Sequence, residues 1–333
     1  MTLRSAVKSG VGALAGRCGL LRAVQSALAA RGWFPILCYH RVAADPVAMA
    51  DDIALGLAIP RAEFEAHAAH LAEAWSVLSL SEARRLAEAA DLPAGACAIT
   101  FDDGWADTYE VAFPILRRLG LTATLFVATD YIDSGHTLPT TRLYRALLAQ
   151  ARRNREPPSA ARARYQAIKR AGPPSIAASL RALGDSAAPA GANDRMATWA
   201  QVRALADAGW EIGCHGRSHI PLRGLGRPAL LRETAEAKQL LESQIGAEAS
   251  GFCYPLGHWD PTAAAAVEDA GFAYACTSRP GWVRPGVHRH ALPRILLGPG
   301  TVGGSGGSGL SVTIVRAAFL RPPRLASAMR SGS

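Results

Sequence analysis

Short apolar runs alternate with longer stretches of helical periodicity along most of this chain, and that rhythm restricts the fold more than any other feature. The runs lie at 35–39, 75–78, 96–101, 122–127, 211–214, 251–254, 273–277 and 292–297. Helical spacing occupies 61–73, 81–90, 107–119, 198–208, 228–245 and 261–270. Gly120, Gly209, Gly246 and Gly271 each follow a helical stretch, where a left-handed C-terminal cap needs glycine. Ser81, with acidic residues downstream, reads as a helix start. Asp260-Pro261 reads as an N-cap followed by proline at the first helical position. Strand and helix alternating in this way predict an α/β fold with a parallel sheet. Seven or eight such units in about 270 residues suit a closed or partly closed barrel.

Two segments break the rhythm. Residues 131–196 carry no strand signal, are rich in Arg and Ala, and contain Pro157-Pro158 and Pro173-Pro174. They read as a mostly helical insertion between two barrel strands. Residues 298–311 are rich in Gly and Ser, the composition of a flexible segment. The 333 residues therefore divide into a basic N-terminal arm over 1–30, a domain over 31–300 with its insertion at about 131–196, and a Gly/Ser-rich, basic tail over 301–333.

The net charge is +9, and a basic excess raises nucleic-acid and membrane-surface readings. Its distribution disfavours a nucleic-acid groove. Residues 1–44 hold six basic and no acidic residues, 139–196 hold eleven and three, and 279–333 hold eight and none. The remainder, 45–138 and 197–278, carries −13. The body is acidic and the extremities are basic. No apolar run approaches the roughly 18 residues of a spanning helix. Arg17 and Arg22 interrupt the N-terminal segment, which makes a poor secretory signal. That segment reads either as a basic amphipathic helix lying on an anionic surface or as an arm or helix packed on the domain. None of the six cysteines, Cys18, Cys38, Cys97, Cys214, Cys253 and Cys276, forms a C-x-x-C pair, and several lie in apolar runs, where thiols act as small hydrophobes. A reducing compartment is the simplest reading. The expectation is a cytoplasmic protein, with peripheral contact to the inner face of an anionic membrane as an extension.

The chemistry concentrates at the ends of the apolar runs. Thr100-Phe101-Asp102-Asp103-Gly104 puts two adjacent carboxylates at the end of a strand. Paired charges there need compensation, and a divalent metal supplies it. The C-terminal end of a barrel strand is also where catalytic groups collect. Asp-Asp-Gly is equally a turn sequence. The second run, Cys214-His215-Gly216-Arg217-Ser218-His219, places two histidines four apart just after a strand. With one carboxylate of the Asp pair they make an Asp-His-His set, which leaves a coordination position open as catalytic zinc sites do. The third run, Gly251-Phe252-Cys253-Tyr254-Pro255-Leu256-Gly257, ends a strand in Pro-x-Gly and could point backbone N–H groups at a substrate oxygen, or be a plain turn. In the fourth, Ile36-Leu37-Cys38-Tyr39-His40, a histidine closes an apolar strand, either for chemistry or as a satisfied residue at the rim.

Together these runs resemble the polysaccharide deacetylases, also called carbohydrate esterase family 4 or the NodB-homology domain, from about residue 35 to 297. Thr198-Trp199-Ala200-Gln201-Val202 leading into Gly209-Trp210-Glu211-Ile212-Gly213, and the Phe-x-Tyr-Pro-x-Gly run, add to the likeness. The resemblance implies a distorted (β/α)7 barrel that hydrolyses an N-acetyl group from an amino sugar. It implies Asp102 as catalytic base and Asp103, His215 and His219 as ligands of a divalent metal, most simply Zn2+. Such chemistry needs an activated water, a polarised carbonyl and a protonated leaving amine, and the Leu256 backbone N–H is the candidate oxyanion donor.

Two departures stand out. Many members carry Arg-x-Pro-Tyr in the third run, the Arg orienting the catalytic Asp; here Cys253 and Leu256 stand at the Arg and Tyr positions. Arg294, at another strand end, is the candidate replacement. The late Leu-x-His motif that supplies the general acid is also missing, since 295–298 reads Ile-Leu-Leu-Gly. Leu37-Cys38-Tyr39-His40 has the form of that motif. The chain thus looks like a permuted branch of the family, with His40 as general acid and His288 and His290 as fallbacks. A catalytically inactive carbohydrate-binding member of the same fold is the alternative, which the complete Asp-Asp-His-His set disfavours. Phosphoryl transfer would want Asp-x-Asp. The expected partner is an N-acetylated glycan and not nucleic acid. The Arg-rich insertion is either a surface for anionic or lipid-linked glycans or a solvated helical hairpin. The basic residues fall outside the proposed metal set, Arg294 being the one candidate in the site.

Overall fold

The structure, a computed structural model, describes residues 19–184, 192–300 and 307–319. Its strands are β1 (Ile36–Tyr39), β2 (Arg41–Ala43), β3 (Ala58–Pro60), β4 (Ser76–Leu78), β5 (Ala96–Phe101), β6 (Thr124–Val127), β7 (Glu211–Cys214), β8 (Gly251–Cys253), β9 (Tyr274–Pro280) and β10 (Leu292–Leu296). The longer helices are α1 (Leu20–Ala29), α2 (Arg61–Ala74), α3 (Leu80–Glu88), α4 (Phe113–Arg118), α5 (Pro139–Arg153), α6 (Pro158–Ala171), α7 (Pro173–Ala182), α8 (Trp199–Asp207), α9 (Ala237–Ile245), α10 (Pro261–Asp269) and α11 (Gly307–Ala317).

Seven strands pair in parallel in the order β1-β10-β9-β8-β7-β6-β5, and β1 also bonds to β5, which closes the ring. The result is the expected (β/α)7 barrel. β4 joins outside the ring, alongside residues 96–98 of β5. β2 and β3 form a separate parallel pair. Each is three residues long, too short to leave a periodic signal in the sequence.

Alternation along the strands sorts the side chains. Leu37, Tyr39, Ile99, Phe101, Leu125, Val127, Ile212 and Phe252 belong to the large core under the helices. Ile36, Ala96, Ala98, Phe126, Cys253, Tyr274, Cys276 and Leu292 pack together inside the barrel. Successive side chains point to opposite faces. Residues 38, 40, 100, 102, 213, 215 and 294 therefore share the parity of the interior set. Gly213 shows how tightly that interior is filled: a Cβ there would meet the Phe126 ring at 2.6 Å.

Helix ends follow the sequence signals with one correction. Asp260 caps α10 by accepting from Ala263 N, with Pro261 in the first turn. Gly246 ends α9 at φ 68°. Ser79, and not Ser81, caps α3, accepting from Glu82 N. Ser81 instead donates its N–H and hydroxyl to Glu211 at 3.0 and 2.5 Å. The expected helices at 107–119 and 228–245 each contain a π-helical turn, Thr108–Ala112 and Arg232–Glu236.

The insertion forms three helices, α5, α6 and α7, with a small core of its own that includes Leu143, Tyr144, Leu147, Tyr165 and Ile176. In the segment read as an arm, α1 buries Val24 and Leu28 in the main core; residues 1–18 lie outside the described residues. In the segment read as a tail, α11 buries Leu310 and Ile314 there too. Trp282 Nε1–H donates to the Ile314 carbonyl at 2.7 Å, and Trp75 Nε1–H to Ser311 Oγ at 3.0 Å. Among the described residues, no helix is long and apolar enough to cross a membrane.

Candidate active site

β5 delivers Asp102 to the mouth of the barrel, where the carboxylate is 2% exposed. β10 sends Arg294 across to meet it. Arg294 Nη1 and Nη2 donate to Asp102 Oδ1 and Oδ2, both at 2.7 Å, the parallel fork that matches a carboxylate. The remaining guanidinium contacts are Nε to Thr277 O at 3.0 Å, Nη1 to Thr100 Oγ1 at 3.2 Å and Nη2 to Cys253 Sγ at 3.1 Å. Burial by itself would raise the Asp102 carboxyl; the Arg294 guanidinium overrides it and holds the group below the usual carboxylate range. Cys38 and Cys253 place their sulfurs 3.6 and 3.7 Å from Asp102 Oδ2. Burial pushes the Cys253 thiol up to about 12, so it is a neutral neighbour.

Asp103 sits in a left-handed turn, φ 78°, with Gly104 at φ 87°. A Cβ on Gly104 would meet Ile132 Cδ1 at 2.8 Å, so the turn requires glycine. The turn aims Asp103 Oδ1 at two imidazoles, His215 Nε2 at 3.4 Å and His219 Nε2 at 3.1 Å. Trp105 Nε1–H donates to Asp103 Oδ2 at 2.9 Å and fixes the other oxygen. His215 Nδ1 lies 2.7 Å from the Cys253 carbonyl. That contact puts a ring proton on Nδ1 and leaves Nε2, on the Asp103 side, as the atom a bound metal would engage. One ligand atom from each of Asp103, His215 and His219 lies within 4.8 Å of the other two. His219 reaches this position through its own left-handed backbone, φ 55°. The three residues fit a divalent ion.

The loop between the two histidines hangs on Glu233, which is 1% exposed. Its Oε2 accepts from Arg217 N and Ser218 N at 2.8 and 2.9 Å, and its Oε1 accepts from Ser218 Oγ. Nothing in the local sequence marks Glu233 as a partner of this loop.

His40 closes β1 with Nε2 3.8 Å from Asp102 Oδ2. Its Nδ1 is buried without a partner among the described residues. Burial lowers its pKa from 6.5. Leu256 lines the same cavity in a left-handed turn, φ 57°. His288 and His290 do not line it. His290 is fully buried, with Nε2 2.8 Å from the Phe272 carbonyl.

These groups line a cavity of about 250 Å³. Barrel residues form its floor, and the insertion adds Thr140, Thr141, Tyr165, Gln166 and Lys169. The basic extremities therefore do enter the site, through Arg41 and Lys169 as well as Arg294. Arg41 belongs to an ionic clamp. Its Nε donates to Asp107 at 2.9 Å and its Nη1 to Asp194 at 3.3 Å. Arg145 of α5 donates to Asp52 at 2.6 Å and to Asp194 at 2.7 and 2.9 Å. Both ends of the insertion are thereby tied to the barrel.

Comparison with known proteins agrees with this geometry. The family model described as "Polysaccharide deacetylase" matches residues 89–275. The Bacillus subtilis (strain 168) protein YxkH, named for the same family, is 24% identical over 276 residues, 82% of this chain and 75% of its own length. Among solved structures, the Streptococcus pyogenes deacetylase PplD in complex with acetate superposes with a TM-score of 0.60 at 20% identity, covering 85% of this chain and 98% of that one. IcaB from Ammonifex degensii gives 0.58 at 20% identity, covering 86% and 97%. These likenesses show the shared fold. The family match spans more than half of the residues and both strand-end runs that hold the acidic pair and the histidine pair, and the chain belongs to the polysaccharide deacetylase family of hydrolases.

Proposed function

We propose that the protein is a metal-dependent deacetylase that removes N-acetyl groups from an amino sugar in a polysaccharide, oligosaccharide or lipid-linked glycan. The observation that carries this reading is the convergence of Asp103, His215 and His219 beside an Asp102 fixed by Arg294. Asp103, His215 and His219 would hold the ion, and a mixed nitrogen and oxygen donor set suits Zn2+. A divalent ion bound there would polarise the acetyl carbonyl and raise the acidity of a water.

The chain's own groups account for the rest. Asp102 accepts the proton of the attacking water. Arg294 keeps that carboxylate ionised and pointed, while reducing its basicity, so position matters more than base strength. His40, with Nε2 3.8 Å from Asp102 Oδ2, protonates the leaving amine; its burial favours giving the proton up. The Leu256 N–H is the proposed donor to the developing oxyanion. His40 on the first strand in place of a late Leu-x-His motif is what a permuted member would show.

Acetate release from N-acetylhexosamine oligomers, with and without chelator, tests the reading together with metal stoichiometry. The wild type is expected to bind one divalent ion and to lose turnover on chelation. Asp103→Asn should lose both ion and turnover, and Asp102→Asn should lose turnover with the ion retained. Unchanged turnover in Asp103→Asn would refute the metal site. A wild type that binds glycan without ion or acetate release would favour the inactive, carbohydrate-binding reading.

A further inference from the structure

Every charged group lining the cavity has a partner of opposite sign or an imidazole, except one. Arg294 faces Asp102, Arg41 faces Asp52, Asp107 and Asp194, and Asp103 faces His215 and His219. Lys169, on α6 of the insertion, also lines the cavity. Its ammonium lies 5.2 Å from the centre of the Tyr165 ring, a cation–π contact. Among the described residues no carboxylate lies within salt-bridge distance of it. Burial lowers its pKa from 10.5, and Asp103 is the charge that acts against that shift. A half-buried ammonium facing an aromatic ring and an open cavity is under-compensated.

We infer that Lys169 is a specificity-determining residue that pairs with an anionic group on the glycan, a carboxylate or a phosphate next to the acetamido group that reacts. This rests on the deacetylase reading and names the substrate class within it. The Tyr165 ring lies under the ammonium and helps to hold it in place. A neutral glycan offers Lys169 only hydroxyl dipoles, whereas an anion supplies the charge that the cavity wall lacks. The basic insertion thereby acts at the site itself, with one residue presented inside and its arginines left at the periphery.

The test compares three substrates on the metal-loaded enzyme: a neutral N-acetylglucosamine tetramer, a tetramer alternating N-acetylhexosamine with uronic acid, and an N-acetylhexosamine oligomer carrying a phosphate ester. Wild type should prefer one acidic substrate over the neutral one, and which acidic arm it prefers identifies carboxylate or phosphate. In Lys169→Met the ratio of kcat/KM for that substrate over the neutral one should fall about ten- to hundredfold, through KM. Lys169→Arg should recover most of it, with the thermal midpoint reporting that both variants fold. A wild type without acidic preference, or equal losses on acidic and neutral substrates in Lys169→Met, overturns the inference while leaving the deacetylase reading standing. A wild type inert toward all three overturns the deacetylase reading and this one with it.

Discussion

Removing Arg294 should damage the protein in a way that removing its partner as well repairs. Arg294→Met keeps the length of the side chain and abolishes the charge. Asp102, 2% exposed, then loses both 2.7 Å hydrogen bonds and keeps only the 3.6–3.8 Å neighbours Cys38, Cys253 and His40. Stranding one member of a buried pair destabilises by about 3–5 kcal/mol. In a chain of this size that corresponds to a fall in thermal midpoint of roughly 4–7 °C. Asp102→Asn strands the guanidinium and should destabilise by a similar amount. In the double variant neither charge is left alone, and replacing both members of a buried pair is often close to neutral. The expected coupling is therefore at least about 2 kcal/mol, so the double variant is more stable than the sum of the singles predicts. Urea unfolding of the chelator-treated protein at pH 7, followed by circular dichroism, measures all four corners. Strict additivity would mean that the fork contributes nothing as a pair, and the positioning role given to Arg294 would fall with it.

Three further outcomes follow from the same geometry. His40→Ala should lower turnover on an N-acetyl glycan by about 10²–10⁴-fold with the ion retained, and by much less on an aryl acetate, whose leaving group needs no proton; equal losses on both would remove His40 from the acid role. Glu233→Gln weakens the support of the 215–219 loop and should lower metal affinity by about 10–100-fold in a chelator competition, with the fold intact. His67, buried against the Tyr39 hydroxyl at 3.1 Å, is lowered to about 4 by burial. The unfolded chain therefore takes up a proton that the folded one refuses, and stability should fall as pH drops from about 6.5 towards 4; His67→Gln should flatten that slope in pH-dependent urea unfolding.

The barrel was legible because parallel strands leave apolar runs and helices leave caps. Ala96–Phe101 and Glu211–Cys214 coincide with the runs read from sequence. Asp102, His215 and Arg294 converge because each stands at the inward parity of its own strand, which a one-dimensional reading of strand ends captures. The position of Arg294 could be suspected only because Cys253 stood where an arginine was expected. Lys169 and Glu233 carried no such signal. Each reaches the site from a helix whose placement depends on tertiary docking, the first through the ionic clamp of Arg41 and Arg145, the second through a π-helical turn. The helix at Gly307–Ala317 was hidden by the Gly/Ser composition before it, and only its contacts with Trp75 and Trp282 explain why it forms there.

Six non-glycine residues among those described adopt left-handed backbone, and three of them, Asp103, His219 and Leu256, surround the site. Each such conformation is disfavoured by about 1–3 kcal/mol. Selection for heat resistance alone would find gains here first, by glycine or asparagine at these positions. Such a lineage would keep the barrel and lose the ligands. Asp103 and His219 thus carry a conformational cost that serves the cavity and not the fold, and thermal tolerance is better sought elsewhere in the molecule.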